Sequence, residues 1–169
     1  IPKEARGLII PGGFPEQHAK QLSNSKNSLN SLRIFSQQFP IYAECGGMML
    51  LGKSIFDLEG REHSMSGVLP FKAKKGDLKI GYREARSKNK SPITSPGNKL
   101  IGHEFHRWEL INEKYNSQIN HIWDIKGWNM KIKSEGFCNR LIHASWIHLH
   151  WASSPIILEN WKRSVMNSA

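Results

Sequence analysis

The sequence predicts an α/β domain: a central, mostly parallel sheet with helices on both faces and some antiparallel strands at its edge. Three observations lead there. The first 52 residues read strand, loop, helix, strand, turn, helix, which is a βαβ unit. Residues 100–110 alternate as a strand does, with Ile101, His103, Phe105 and Arg107 on one side. Pro155 to Met166 closes the chain as a helix, with Ile156, Ile157, Trp161 and Val165 as its apolar positions.

Taken in order, Gly7 to Ile10 is a short buried strand that runs into Pro11-Gly12-Gly13-Phe14-Pro15-Glu16. Paired glycines after a strand let backbone amides approach a ligand closely. Glu16 to Gln21 and Leu29 to Phe39 are expected to be helical, with a Ser/Asn-rich break at Ser23 to Ser28. Pro40 ends the second helix, and Ile41 to Ala43 forms the next strand. Asp57 to Gly60 is a turn, and Gly67 to Phe71 and Lys79 to Ala85 are strand candidates. Asn89 to Gly97 is a polar loop; Trp123 to Lys133 reads as a hairpin or loop, and Gly136 to His143 as a strand or turn.

Composition narrows the function. The 169 residues are 38% hydrophobic, which suits one globular domain spanning residues 1–169. Apolar runs are too short to span a bilayer, and no charged start precedes an apolar stretch as in a signal peptide. Two cysteines, Cys45 and Cys138, are too few for a disulfide scaffold and fit a reducing, cytoplasmic setting. The net charge of +10 allows an acidic ligand or nucleic acid, but the lysines are scattered and no nucleic-acid motif accompanies them. A basic nucleic-acid module is thus supported by charge alone. The sequence predicts no nucleic-acid partner and no membrane association.

The chain is organised around Tyr42-Ala43-Glu44-Cys45-Gly46-Gly47-Met48-Met49. A nucleophile between a strand and a helix is held on a sharp bend with its side chain presented outward. Gly46 and Gly47 remove the Cβ atoms that would crowd such a bend. The amides that follow point where a thiolate or an oxyanion would sit. A buried structural cysteine in a glycine turn is the competing reading, and on Cys45 alone it is the better one.

A cysteine nucleophile needs a base, usually histidine. The eight histidines include two clusters, His103/His106 and His143/His148/His150. Their spacing gives no firm metal set, so no metal is expected. The residues alone do not rank them.

Five motifs occur in order: Pro11-Gly12-Gly13-Phe14-Pro15-Glu16; Tyr42 to Met49; Gly81-Tyr82-Arg83; Gly102-His103-Glu104-Phe105-His106; and His143-Ala144-Ser145-Trp146-Ile147-His148-Leu149-His150. Together they resemble the glutamine amidotransferase domain of the cobyrinic acid a,c-diamide synthases, ligases that amidate the corrin ring in cobalamin biosynthesis. The resemblance runs from about Gly7 to Pro155. It implies a flavodoxin-like class I (triad-type) glutamine amidotransferase domain that makes ammonia from glutamine through a thioester. By the motif match, Cys45 is the nucleophile and His148 the base; the oxyanion hole is expected from Gly12, Gly13 and Gly46. The ammonia would pass to an ATP-dependent synthetase domain of the same full-length chain, which uses Mg²⁺ and acts on the a and c carboxylates of cobyrinic acid. This chain is expected to hold no cofactor and to be a C-terminal fragment, as its start without methionine suggests.

Many triad glutaminases carry a glutamate two residues after the catalytic histidine; here that place holds His150. Glu104 is the candidate for the orienting group, and His103 and His106 for the domain interface or corrin contact. Tyr82 and Arg83 are further interface candidates, with an internal ion pair the other reading of Arg83. The alternatives are a cobyric acid synthase or related tetrapyrrole-amidating enzyme, and a non-catalytic domain of the same fold.

Overall fold

A computed structural model describes residues 1–112 and 119–168, Asn112 by its backbone. The element order is β1 (Leu8–Ile10), α1 (Ala19–Asn24), α2 (Lys26–Phe35), β2 (Ile41–Glu44), α3 (Gly46–Leu51), β3 (Ser54–Phe56), β4 (Glu62–Ser64), β5 (Phe71–Ser87) and β6 (Lys99–Asn112). There follow β7 (Trp123–Lys126), β8 (Lys133–Glu135), β9 (Phe137–Cys138), β10 (Ile142–Ser145), β11 (Ile147–Leu149) and α4 (Pro155–Met166).

The α/β class holds, and the parallel strands form its centre. β2 lies between β1 and β10 and is parallel to both; β9 adds an antiparallel edge. Ile41 and Ala43 of β2 face a core with Leu32 and Phe35 of α2 and Met48 and Leu51 of α3. Tyr42, between them in sequence, faces the other way, into a core with Trp123, Ile147 and Ile157 of α4. Alternation along one strand thus places helices on both faces of the sheet.

The antiparallel part is larger than edge strands. Among the described residues it belongs to a second, mixed sheet of seven strands, built on the long antiparallel β5–β6 ladder, with β11 on one side and β3–β4 and β7–β8 on the other; β3 runs parallel to β5. Its burial is inverted relative to simple apolar patterning. Gly102, Glu104 and Trp108 are buried, while Ile101 is 70% and Phe105 48% exposed. Ile80 and Tyr82 pair across from Phe105 and His103 on that exposed face.

Two local expectations change. Gly67 to Phe71 is not a strand before Phe71, because Pro70 has no N–H to donate. Gly67 and Leu69 instead bond back to the carbonyls of Gly52 and Leu51. The predicted break at Ser23 to Ser28 shrinks to Ser25, between α1 and α2.

Candidate active site

β1, β2 and β10 all end at one edge of the parallel sheet. Ile10 pairs with Ala43, and Glu44 with Ser145. The chain leaving these strands bends at three neighbouring places: Pro11 to Gly13, Cys45 at the start of α3, and Trp146 just before β11. This carboxyl edge is where open α/β sheets build their sites. Residues far apart in sequence meet because parallel pairing aligns the strand ends.

Cys45 has φ 48° and ψ −112°, one of two non-glycine residues with positive φ among those described. Such a backbone costs on the order of 1–3 kcal/mol and persists only where surrounding structure over-determines it. Here the amide of Cys45 donates to the Ser145 carbonyl at 2.8 Å, locking the bend to β10. The two glycines that follow are fixed by crowding. A Cβ on Gly46 would lie 2.3 Å from the Gly13 oxygen, and one on Gly47 2.3 Å from the Ile10 oxygen. Gly13 has open space instead, and it lines the cavity beside Cys45.

That cavity holds about 270 Å³ and is walled by Gly13, Glu16, Cys45, Phe105, Arg107 and Trp146, among others. It is on the scale of a small metabolite, just under the usual range for drug-sized ligands of roughly 300–1,000 Å³. Glu16 is 7% exposed, and burial raises its carboxyl above the ordinary range. Arg107 supplies the opposite charge at the same cavity.

His148 stands beside the thiol, next to Gly12, and outside the cavity wall. A Cβ on Gly12 would lie 2.6 Å from the imidazole Cε1. The Cys45 thiol and the Glu44 carboxylate beside the ring push its pKa up from 6.5 to about 10 against the opposing effect of burial. An imidazole that stays protonated at neutral pH can give a proton to a leaving amine and later take one from water. The thiol also reaches the Phe105 carbonyl at 3.8 Å.

The sequence places the orienting carboxylate at Glu104; the structure puts a different one against the base. Glu44 Oε2 lies 3.5 Å from His148 Nδ1. Glu104 is held elsewhere. Arg83 Nε donates to its Oε2 at 2.6 Å, and its Oε1 lies 2.9 Å from His106 Nε2 and 3.7 Å from Lys133. Burial works to raise the Glu104 pKa, but His106, Lys133 and Arg83 outweigh it and bring it down to about 2. Sequence reading missed Glu44 although it adjoins the nucleophile. The usable signal was its two-residue spacing from Tyr42, which puts both side chains on one face of β2.

His106 is part of the scaffold. Its ring stacks on Trp146 at 3.9 Å and also meets the Trp108 carbonyl at 2.6 Å. His103 is half-buried, opposite His148 in the β6–β11 register and edge-on to the Tyr82 ring. Arg83 has the internal ion pair, whereas Tyr82 is 76% exposed. Cys138, the other thiol, is buried, and burial pushes its pKa up to about 12. Among the described residues no group of three or more His, Cys, Asp or Glu could hold a metal ion. No helix among them is long and apolar enough to cross a membrane.

The fold is that of the class I glutamine amidotransferases. A solved glutamine amidotransferase superposes with TM-score 0.64 over 97% of this chain and 81% of its own, at 14% identity. Another, from Thermotoga maritima, does so with TM-score 0.56 over 99% of this chain and 67% of its own, at 15% identity. Within that class, the match over residues 1–156 shows that the chain belongs to the CobB/CobQ-like glutamine amidotransferase domain family. Its curated relatives include the cobyrinate a,c-diamide synthases of a Synechococcus strain, 34% identical over 95% of this chain, and of Leptospira interrogans, 35% identical over 95%. That of Priestia megaterium is 34% identical over 95%. The chain spans about a third of these relatives' length, 35% or 36% in each case.

Proposed function

We propose that this chain is the glutamine-hydrolysing part of an ATP-dependent ligase that amidates the a and c carboxylates of cobyrinic acid. The observation that carries the reading is the assembly at the carboxyl edge: Cys45 on its strained bend, with His148 beside it against Gly12 and a small cavity next to it. The thiolate of Cys45 attacks the side-chain amide carbon of glutamine. The amides of the Gly12-Gly13 turn and of Gly46 receive the oxyanion, which can contribute several kcal/mol. The C–N bond breaks, and His148 gives its proton to the departing ammonia. Water then attacks the thioester, His148 takes a proton from it, and glutamate leaves with the thiol restored. Glu16 and Arg107 are placed to receive the α-ammonium and α-carboxylate of glutamine at the cavity.

The relatives' name favours the a,c-diamide reaction over that of a cobyric acid synthase or another tetrapyrrole-amidating enzyme. ATP, Mg²⁺ and cobyrinic acid would bind a synthetase portion outside this chain, in the cytoplasm. The exposed apolar face of β5 and β6 supports such a partner. It carries Ile80, Tyr82 and Ile101 and reaches the cavity through Phe105. The test is release of ammonia and glutamate from glutamine, by the chain alone and with the synthetase portion of a relative added. Turnover that Cys45→Ala abolishes is expected. Turnover that survives Cys45→Ala, or none under both conditions, overturns the reading.

A further inference from the structure

We propose that Glu44, the residue immediately before Cys45, is the positioning residue that completes the Cys45–His148 pair as its third member. The inference rests on the glutaminase reading and deepens it. The position two residues after His148, where a triad-type enzyme carries its carboxylate, is His150, which is exposed. Glu104 is committed to Arg83 and His106. Among the described residues, Glu44 is the carboxylate within ion-pair reach of the ring, at 3.5 Å from Nδ1.

The placement of Glu44 is itself determined. Its Oε1 accepts the Leu149 amide at 2.9 Å and the Tyr42 hydroxyl. The Leu149 bond joins the carboxylate to the residue after His148, so β2 and β11 are held together at the pair. Tyr42 is buried, and burial together with the Glu44 charge raises its pKa well above the ordinary value. It therefore donates to Glu44. With Oε1 taken by two donors, Oε2 is left for Nδ1, and the other ring nitrogen serves the thiol. This is the logic of a carboxylate that fixes a histidine's orientation and tautomer. The titratable groups facing His148 are Cys45 and Glu44, with His103 across the strand pair and Tyr42 behind Glu44.

The test uses alkylation of Cys45 by iodoacetamide across pH, which needs no glutamine. In Glu44→Gln the shape is kept and the charge is lost. The rate at pH 7 is expected to fall about tenfold or more, with the profile moved to higher pH by about one unit, since tenfold corresponds to one unit. A Glu44→Gln profile that superposes on wild type, with melting unchanged, overturns the proposal. A second measurement covers a variant that fails to fold: the ¹⁵N titration of the His148 ring in Cys45→Ser, with Glu44 intact. The ring is expected to titrate above about 6.5 and, when neutral, to carry its proton on Nδ1. Titration at or below that value, or a proton on Nε2, overturns it. If Glu44 controls alkylation while the wild-type chain neither hydrolyses glutamine nor reacts with a glutamine analogue, the glutaminase reading fails and the pair's geometry stands.

Discussion

Gly46 and Gly13 touch so closely that neither turn can be altered independently: a Cβ on Gly46 would lie 2.3 Å from the Gly13 oxygen and 2.8 Å from its carbonyl carbon. The two glycine turns are thus one packed unit at the end of β1 and β2. In Gly46→Ala the clash is with backbone, which cannot swing aside. A loss of stability of about 1–3 kcal/mol is expected from overpacking, read by urea denaturation. Loss of Cys45 reactivity toward a glutamine analogue should accompany it. Unchanged stability would mean that the turns are not joined as described.

Gly12→Ala separates chemistry from stability. The added methyl meets the His148 imidazole, a side chain that is 36% exposed and can move. Melting should therefore change little. Glutamine hydrolysis should fall on the order of a hundredfold, because displacing a catalytic group by about 1 Å costs that much. The comparison of kcat with melting temperature checks it.

Glu104→Ala should behave in the opposite way. It strands Arg83, which is buried, and removes the partner of His106. Breaking a buried ion pair from one side costs about 3–5 kcal/mol. Because the folded-state pKa of Glu104 lies near 2, below its ordinary 4.5, its contribution is present above 4.5 and is lost as pH falls toward 2. Urea midpoints of wild type and variant should therefore converge in acid. In the folded fraction, the pH profile of Cys45 alkylation should be unchanged.

Glu135 sets a pH dependence of the other sign. Burial raises its pKa to about 7, against hydrogen bonds from the Trp146 amide and the Ser145 hydroxyl that work to lower it. Between pH 4.5 and 7 the folded chain holds a proton that the unfolded chain has released, so stability falls as pH rises through that window. Glu135→Gln cannot ionise. Its unfolding midpoint should be flatter across the window than that of wild type, as denaturation series at several pH values would show.

Much of this was legible in the sequence. Short apolar strands followed by glycine pairs located the sheet edge, because both turns need close backbone approach. The closing helix was read at its observed bounds, with Pro155 at its first residue and an apolar stripe through Ile157. The extent of the antiparallel sheet was not legible. Ile80, Ile101 and Phe105 pattern as core positions, yet they face outward, and periodicity cannot tell a core from an exposed apolar face. The place of Glu104 was misread for a related reason. A carboxylate in a motif with two histidines looks like a partner for a base, and its pairing with Arg83 depends on the β5–β6 register. Glu44 was overlooked because its contact with His148 exists only once β2 and β11 end side by side.

Most direct for the account is covalent labelling by 6-diazo-5-oxo-norleucine, a reactive glutamine analogue, read by intact and peptide mass. A single adduct on Cys45 that disappears in His148→Ala is the expected result, with buried Cys138 unmodified. Failure to label Cys45, even with the synthetase portion of a relative supplied, or labelling that His148→Ala leaves undiminished, would contradict the assignment of this edge as a glutamine-hydrolysing site.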